Sequence, residues 1–171
     1  MPTFKWFALI SALGFAFCGA ISLFMPAPPN PVKPSELSIG ARLAVPANTR
    51  ALLKRACYDC HSNETRWPAY SRIWPASAMI YSDVSKGRAT MNFSEWPSSN
   101  DPHQARRAAG LLMASCAAMQ SGLMPRKQYL MMHPDAKVLP DEAKQYCAWT
   151  STEVVALRKL SRVPVPNTPR Q

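Results

Sequence analysis

The hydrophobic and polar positions divide the chain into four stretches. Residues 6–25 form an uncharged, mostly apolar run of twenty, preceded by Lys5. About twenty apolar residues is the length of helix that crosses a bilayer. Residues 26–34 hold five prolines in nine positions. Such a stretch favours polyproline II and predicts a semi-rigid linker over 26–44, holding the rest of the chain some 20–30 Å off a bilayer at about 3.1 Å per residue. From 45 to 162 the period becomes helical. Asn48 or Thr49 is placed to cap a helix carrying Leu52, Leu53 and Ala56. Pro75 opens a second helix through Met79, Ile80 and Val84, with Gly87 as its stop. Asp101 caps a third, Pro102 takes its first turn, and Gln104 is placed to complete a capping box. Along it Ala105, Ala108, Ala109, Leu112, Cys116 and Met119 recur at helical spacing; Met113 and Met119 read as core, and Gly122 ends the helix. Pro140 starts a fourth, with Ala143, Tyr146, Cys147 and Val154 facing one way. Thr150 could instead cap a fresh helix, so one long helix and two short ones both fit. No alternating run marks a strand. The expected domain is all-α, followed by a proline-rich tail over 163–171.

Composition adds little to this division. The 171 residues suit one modest domain with appendages. The net charge of +10 suits nucleic acid, an anionic membrane or an acidic partner. The positive residues are scattered, with no block longer than Arg106-Arg107 or Arg126-Lys127, which argues against a nucleic-acid interface. Five cysteines are too few for a disulfide scaffold. A secretory signal is the rival reading of 6–25, but the exit lacks a small-x-small cleavage site, and bulky Phe17 before Cys18 disfavours a lipoprotein cysteine. The run therefore reads as an uncleaved anchor, with Lys5 and the amino terminus inside and the remainder exported.

The candidate chemistry lies in Cys57-Tyr58-Asp59-Cys60-His61. Two cysteines separated by two residues and followed by histidine form the attachment signature of c-type haem. The thiols add to the two vinyl groups on one porphyrin edge, so they must lie about one helical turn apart. The next residue can then place an imidazole nitrogen on the iron. A zinc site needs four ligands, yet His103 and His133 are isolated and no second CxxC exists. A thioredoxin-like pair belongs in a βαβ unit, which the pattern does not contain. Covalent haem is attached outside the bacterial cytoplasm, in agreement with the exported orientation.

A haem iron has a second axial position. Met124, between Gly122 and Pro125, is the best candidate: a thioether is a soft ligand that raises the potential relative to a second imidazole. His133 is the rival, and an open position is the third possibility; His103, in a helix's first turn, reads as exposed. Asn63, Glu64, Arg66 and Trp67 form a loop suited to supporting His61, with Trp67 packed on the haem edge and Arg66 neutralising a propionate. The three Trp-Pro pairs, at Trp67, Trp74 and Trp96, read as fasteners of long loops to a small core. Cys116 and Cys147 are the exported thiols left over; they either pair as a disulfide or stand as ordinary buried cysteines.

Several strings occur in order: Cys57 to Pro68 (CYDCHSNETRWP), Tyr70-Ser71, Val84-x-x-Gly87-Arg88, Asn92-Phe93-Ser94-x-Trp96, Gly122-x-Met124-Pro125 and His133-Pro134-x-Ala136. Together they resemble the bacterial haem-binding domain family, small cytochrome c-like domains, over about residues 45–149. The resemblance implies covalent haem c on Cys57 and Cys60, His61 as proximal ligand and Met124 as distal ligand. Leu123 departs from an acidic residue common before the Met-Pro pair, and Pro140 from a common Ser or Thr cap; neither touches a ligand.

The expected protein is thus a small helical domain wrapped on one haem c behind a transmembrane helix. The expected role is a monohaem cytochrome in the bacterial inner membrane, with its haem domain in the periplasm, passing electrons to an acidic redox partner. The alternative is a haem-based gas or redox sensor, or an assembly module, with a labile distal ligand. A peroxidase-like enzyme ranks behind both, for want of a positioned acid–base residue.

Overall fold

A computed structural model describes residues 2–24 and 27–161, and it is helical, with no strand among the described residues. The proline-rich tail and Met25 lie outside them. The helices are α1 (Pro2–Phe24), α2 (Ile39–Arg42), α3 (Ala47–Ala56), α4 (Tyr58–His61), α5 (Ala76–Thr90), α6 (Pro102–Gln120), α7 (Lys127–Met132) and α8 (Pro140–Leu160).

The α6–α8 pair is the backbone of the domain. Asp101 caps α6 by accepting from the Gln104 N–H at 2.8 Å, and Pro102 occupies the first turn. Ala105, Ala108 and Ala109 are buried, small enough to let α8 approach closely, and Leu112 and Met119 extend the same face. Met113 differs from its expected core place. It is about half exposed, and the Arg158 guanidinium donates to its sulfur at 3.2 Å. Cys116 and Cys147 are joined by a disulfide, with Cα atoms 5.2 Å apart. Gly122, at φ +69°, supplies the left-handed residue that stops α6. On the partner helix a single run prevails over two short ones: Thr150 and Ser151 turn their hydroxyls back to the Cys147 carbonyl instead of capping a new helix.

Three boundaries depart from the sequence expectation. Pro46, with φ −59° and ψ 151°, starts α3 before Asn48 and Thr49; Asn48 bonds Gln145 of α8, and Thr49 is buried. Gly87 does not stop α5 but lies inside it, against the backbone of Cys60. The expected linker over 26–44 is partly core. Ser38 caps the one-turn α2 by accepting from the Ala41 N–H at 3.3 Å. The Ile39 N–H then donates to the Phe93 carbonyl and the Trp96 N–H to the Leu37 carbonyl, both at 2.8 Å. Ile39 is 1% exposed, so the hydrophobic unit begins ahead of Val45.

Candidate haem site

Cys57 is the joint between α3 and α4. Its φ of −130° breaks the first helix, and its carbonyl accepts from the Cys60 and His61 N–H groups at 3.2 and 2.9 Å. That single turn brings the two cysteines to one side. Neither is in a disulfide. Burial, with Cys60 nearby, pushes the Cys57 thiol up to about 12, and burial beside Asp59 and Asp83 pushes Cys60 up to about 11. A dithiol redox pair works with a lowered pKa; these two thiols are held neutral.

His61 points one ring nitrogen at the backbone. Its Nδ1 lies 2.9 Å from the Gly87 carbonyl and 3.1 Å from the Met91 carbonyl. Two acceptors fix the proton on Nδ1, so the Nε2 lone pair is free for a metal. The ring meets Phe93 edge-on at 6.4 Å, and Tyr58, Phe93 and Trp96 stack behind it at 5.5 and 5.8 Å. The Phe93 N–H donates to the His61 carbonyl at 2.7 Å, closing the pocket wall.

Gly87 makes this approach possible. A Cβ there would stand 2.5 Å from the Cys60 carbonyl oxygen and 3.0 Å from its carbon, both backbone atoms. Gly87→Ala must therefore separate α5 from α4 and draw its carbonyl off His61. The expected loss of unfolding free energy is about 2–3 kcal/mol by denaturant titration; a loss within a few tenths would mean that the two helices are not in register as described.

The loop after His61 is fastened on three sides. The Ser62 and Thr65 hydroxyls donate to the Tyr58 and Asp59 carbonyls at 2.8 and 2.7 Å. Arg88 donates to the Ser62 carbonyl, to the Thr65 hydroxyl and to the Asn30 side chain, each at 2.8 Å. The Asn63 N–H donates to the Ser94 hydroxyl at 3.0 Å, and Asn92 donates to the Asn63 amide oxygen at 2.9 Å. Buried Asp59 accepts from the Arg66 N–H at 3.1 Å and from the Tyr129 hydroxyl at 2.7 Å. Burial and that bond to Asp59 push the Tyr129 hydroxyl up, so it remains a donor. The Arg66 guanidinium, expected on a propionate, pairs with Asp59 at 3.4 Å on the surface. Glu64 is exposed, 4.0 Å from Lys54. Gly87, Arg88, Asp59 and Tyr129 were not among the expected site residues. Their signals were the Gly87-Arg88 string and an aspartate between the two cysteines.

Met124 sits in the loop after α6. Its N–H donates to the Ala118 carbonyl at 3.1 Å, and Arg126 pairs with Asp83 of α5 at 2.6 Å. Asp83 stands one turn before Gly87 on α5, and both Asp83 and Arg126 act electrostatically on the Cys60 thiol. The Met124 loop and the CxxCH turn thus share one face of α5. Met124 is 39% exposed. The rival His133 is committed elsewhere: its Nε2 lies 2.8 Å from the Tyr70 hydroxyl, and its ring stacks on Tyr129 at 4.4 Å. His103 is exposed, as expected. Trp67 packs edge-on to Tyr81 of α5 at 5.3 Å, with its indole N–H buried.

Two neutral thiols one turn apart and an imidazole with a free Nε2 are a donor set that fits a haem, and Met124 lies in a loop tied to the same face of α5. Among the described residues no three His, Cys, Asp or Glu side chains gather to hold a bare ion. A cleft of about 440 Å³ adjoins the loop after His61, lined by Asn63, Arg88, Met91, Asn92, Glu95 and Arg107 among others.

Comparison with curated proteins finds no match, and neither does comparison with solved structures. A family model described as the haem-binding domain matches residues 16–152, a span that takes in the CxxCH turn, α5, the α6–α8 pair and the Met124 loop. The chain belongs to the haem-binding domain family.

Proposed function

We propose that this haem protein is a membrane-anchored, monohaem c-type cytochrome that carries electrons at the outer face of the bacterial inner membrane, with its haem domain in the periplasm. The observation that carries the reading is His61: its tautomer is locked by two carbonyls directly after two unbridged, neutral cysteines. A bound haem supplies a one-electron couple that needs no proton transfer or bond-making to substrate. The residues do the rest. Cys57 and Cys60 would hold the porphyrin edge by thioethers, and His61 would offer Nε2 to the iron. The Gly87 and Met91 carbonyls keep that ring aimed. Met124 would supply the second protein ligand, from a loop tied to α5 through Arg126 and Asp83, and Trp67, beside Tyr81, would close one side. The protein acts as a carrier, not an enzyme. The scattered basic surface suits weak, transient docking of an acidic redox partner. Helix α1, apolar from Phe4 to Ser22, is long enough to span the membrane, and Lys5 keeps its amino terminus inside.

Carbon monoxide separates the carrier from a sensor with a labile distal ligand. The reduced holo-protein should bind it slowly or not at all, and Met124→Ala should bind it readily. The same variant should lose the weak far-red sulfur-to-iron band of the oxidised protein and have a lower potential. Fast binding by the unmodified protein would favour the sensor. A spectrum unchanged by Met124→Ala but altered by His133→Ala would assign the ligand to His133.

A further inference from the structure

We infer that the loop over residues 72–75, with Trp74 as its anchor, seats the haem domain directly on the lipid interface of the bilayer that α1 crosses. This rests on the reading of α1 as a membrane span. The apolar window Phe4–Ser22 is 19 residues long, and none of it is buried within the protein. At 1.5 Å per residue it measures about 28 Å, against a hydrocarbon core of about 30 Å. With Lys5 at the inner boundary nearly all of the window is needed to cross, so Phe17 lies inside the bilayer and Ser22 near its outer edge.

Trp74 touches both residues. Its N–H donates to the Ser22 hydroxyl at 3.1 Å, while that hydroxyl donates to the Cys18 carbonyl at 2.7 Å. Its ring meets Phe17 edge-on, with centroids 6.5 Å apart. Phe17 lies five residues before Ser22, about 7 Å lower along the helix. A residue whose backbone is bonded at Ser22 and whose ring packs on Phe17 occupies the boundary between headgroups and hydrocarbon, where tryptophan is most favourable. Its neighbours suit the same place: Ile73 is 56% exposed, and exposed Arg72 offers a cation to anionic headgroups.

The chain leaving α1 keeps the domain close to the bilayer. From Phe24 to Asn30 it can reach at most about 20 Å. Asn30 is clamped by the Thr65 carbonyl and Arg88, each at 2.8 Å. The proline-rich stretch therefore lies along the domain and does not act as a spacer. The haem domain consequently keeps one fixed face toward the membrane, and a partner must approach from the others.

The test uses the full holo-chain in vesicles of phosphatidylcholine and phosphatidylglycerol, in a Cys18→Ala background. A nitroxide is placed on Ile73→Cys, or on Leu9→Cys in mid-α1 as the reference. Collisions with oxygen, enriched in lipid, are compared with those of a water-soluble nickel chelate. Oxygen should dominate at both positions, and Trp74→Ser should lower the oxygen-to-chelate ratio at 73 several-fold without changing it at 9. Chelate dominance at 73 with oxygen dominance at 9 would overturn the seating and leave the anchor intact. Chelate dominance at both, with release of the chain by alkaline carbonate, would overturn the anchor and the seating together.

Discussion

Replacing Cys57 and Cys60 together by alanine should leave no haem on the denatured chain. Thioether bonds survive unfolding, whereas coordination by His61 and Met124 does not, so only the cysteines can carry haem through denaturant. Each single variant should keep one bond and some retention. The loss should extend to the fold. A domain of this size has a limited core, and large apolar side chains on the CxxCH side, among them Met79 and Met124, are exposed in the bare chain. The double variant should therefore unfold at markedly lower denaturant than the holo-protein, with circular dichroism and haem staining of the denatured chain as the two readouts. Full haem retention by the double variant would remove the cysteines from the site.

Opening the Cys116–Cys147 bridge should give the largest loss of stability that spares the haem ligands. The bond joins the two longest helices of the domain across 31 residues of sequence. Closing a loop of that length restricts the unfolded chain by about 3–4 kcal/mol in the chain-entropy picture. Cys116→Ala with Cys147→Ala should lower the melting temperature by roughly 10 °C or more, while covalent haem and its spectrum remain. Thiol labelling of the unreduced, denatured holo-protein should find only Cys18. A stability change below about 1 kcal/mol would mean that α6 and α8 are held by their alanine-lined contact alone.

The parts of the structure that local chemistry dictates were readable in the chain. Asp101-Pro102 and Gly122 bracket α6 because capping and the left-handed stop are decided within a few residues. The all-α class followed from periodicity. The misses all involve partners distant in sequence. Gly87 reads as a helix stop, but it is a contact point because Cys60 presses against it from 27 residues away. Ile39 follows a proline-rich stretch, yet pairs with Phe93 and enters the core. Met113 lies on the right helix but one position off the buried stripe. Asp59 has no assigned role in the sequence, and only the fold brings Tyr129 to it.

The proposal that haem is covalently attached is tested most directly by the mass of the unmodified chain after denaturation and acidified-solvent extraction. The mass should equal that of the polypeptide plus one haem, with the modification confined to the peptide containing Cys57 and Cys60. A chain recovered at its bare polypeptide mass, with the haem in the organic phase, would contradict it.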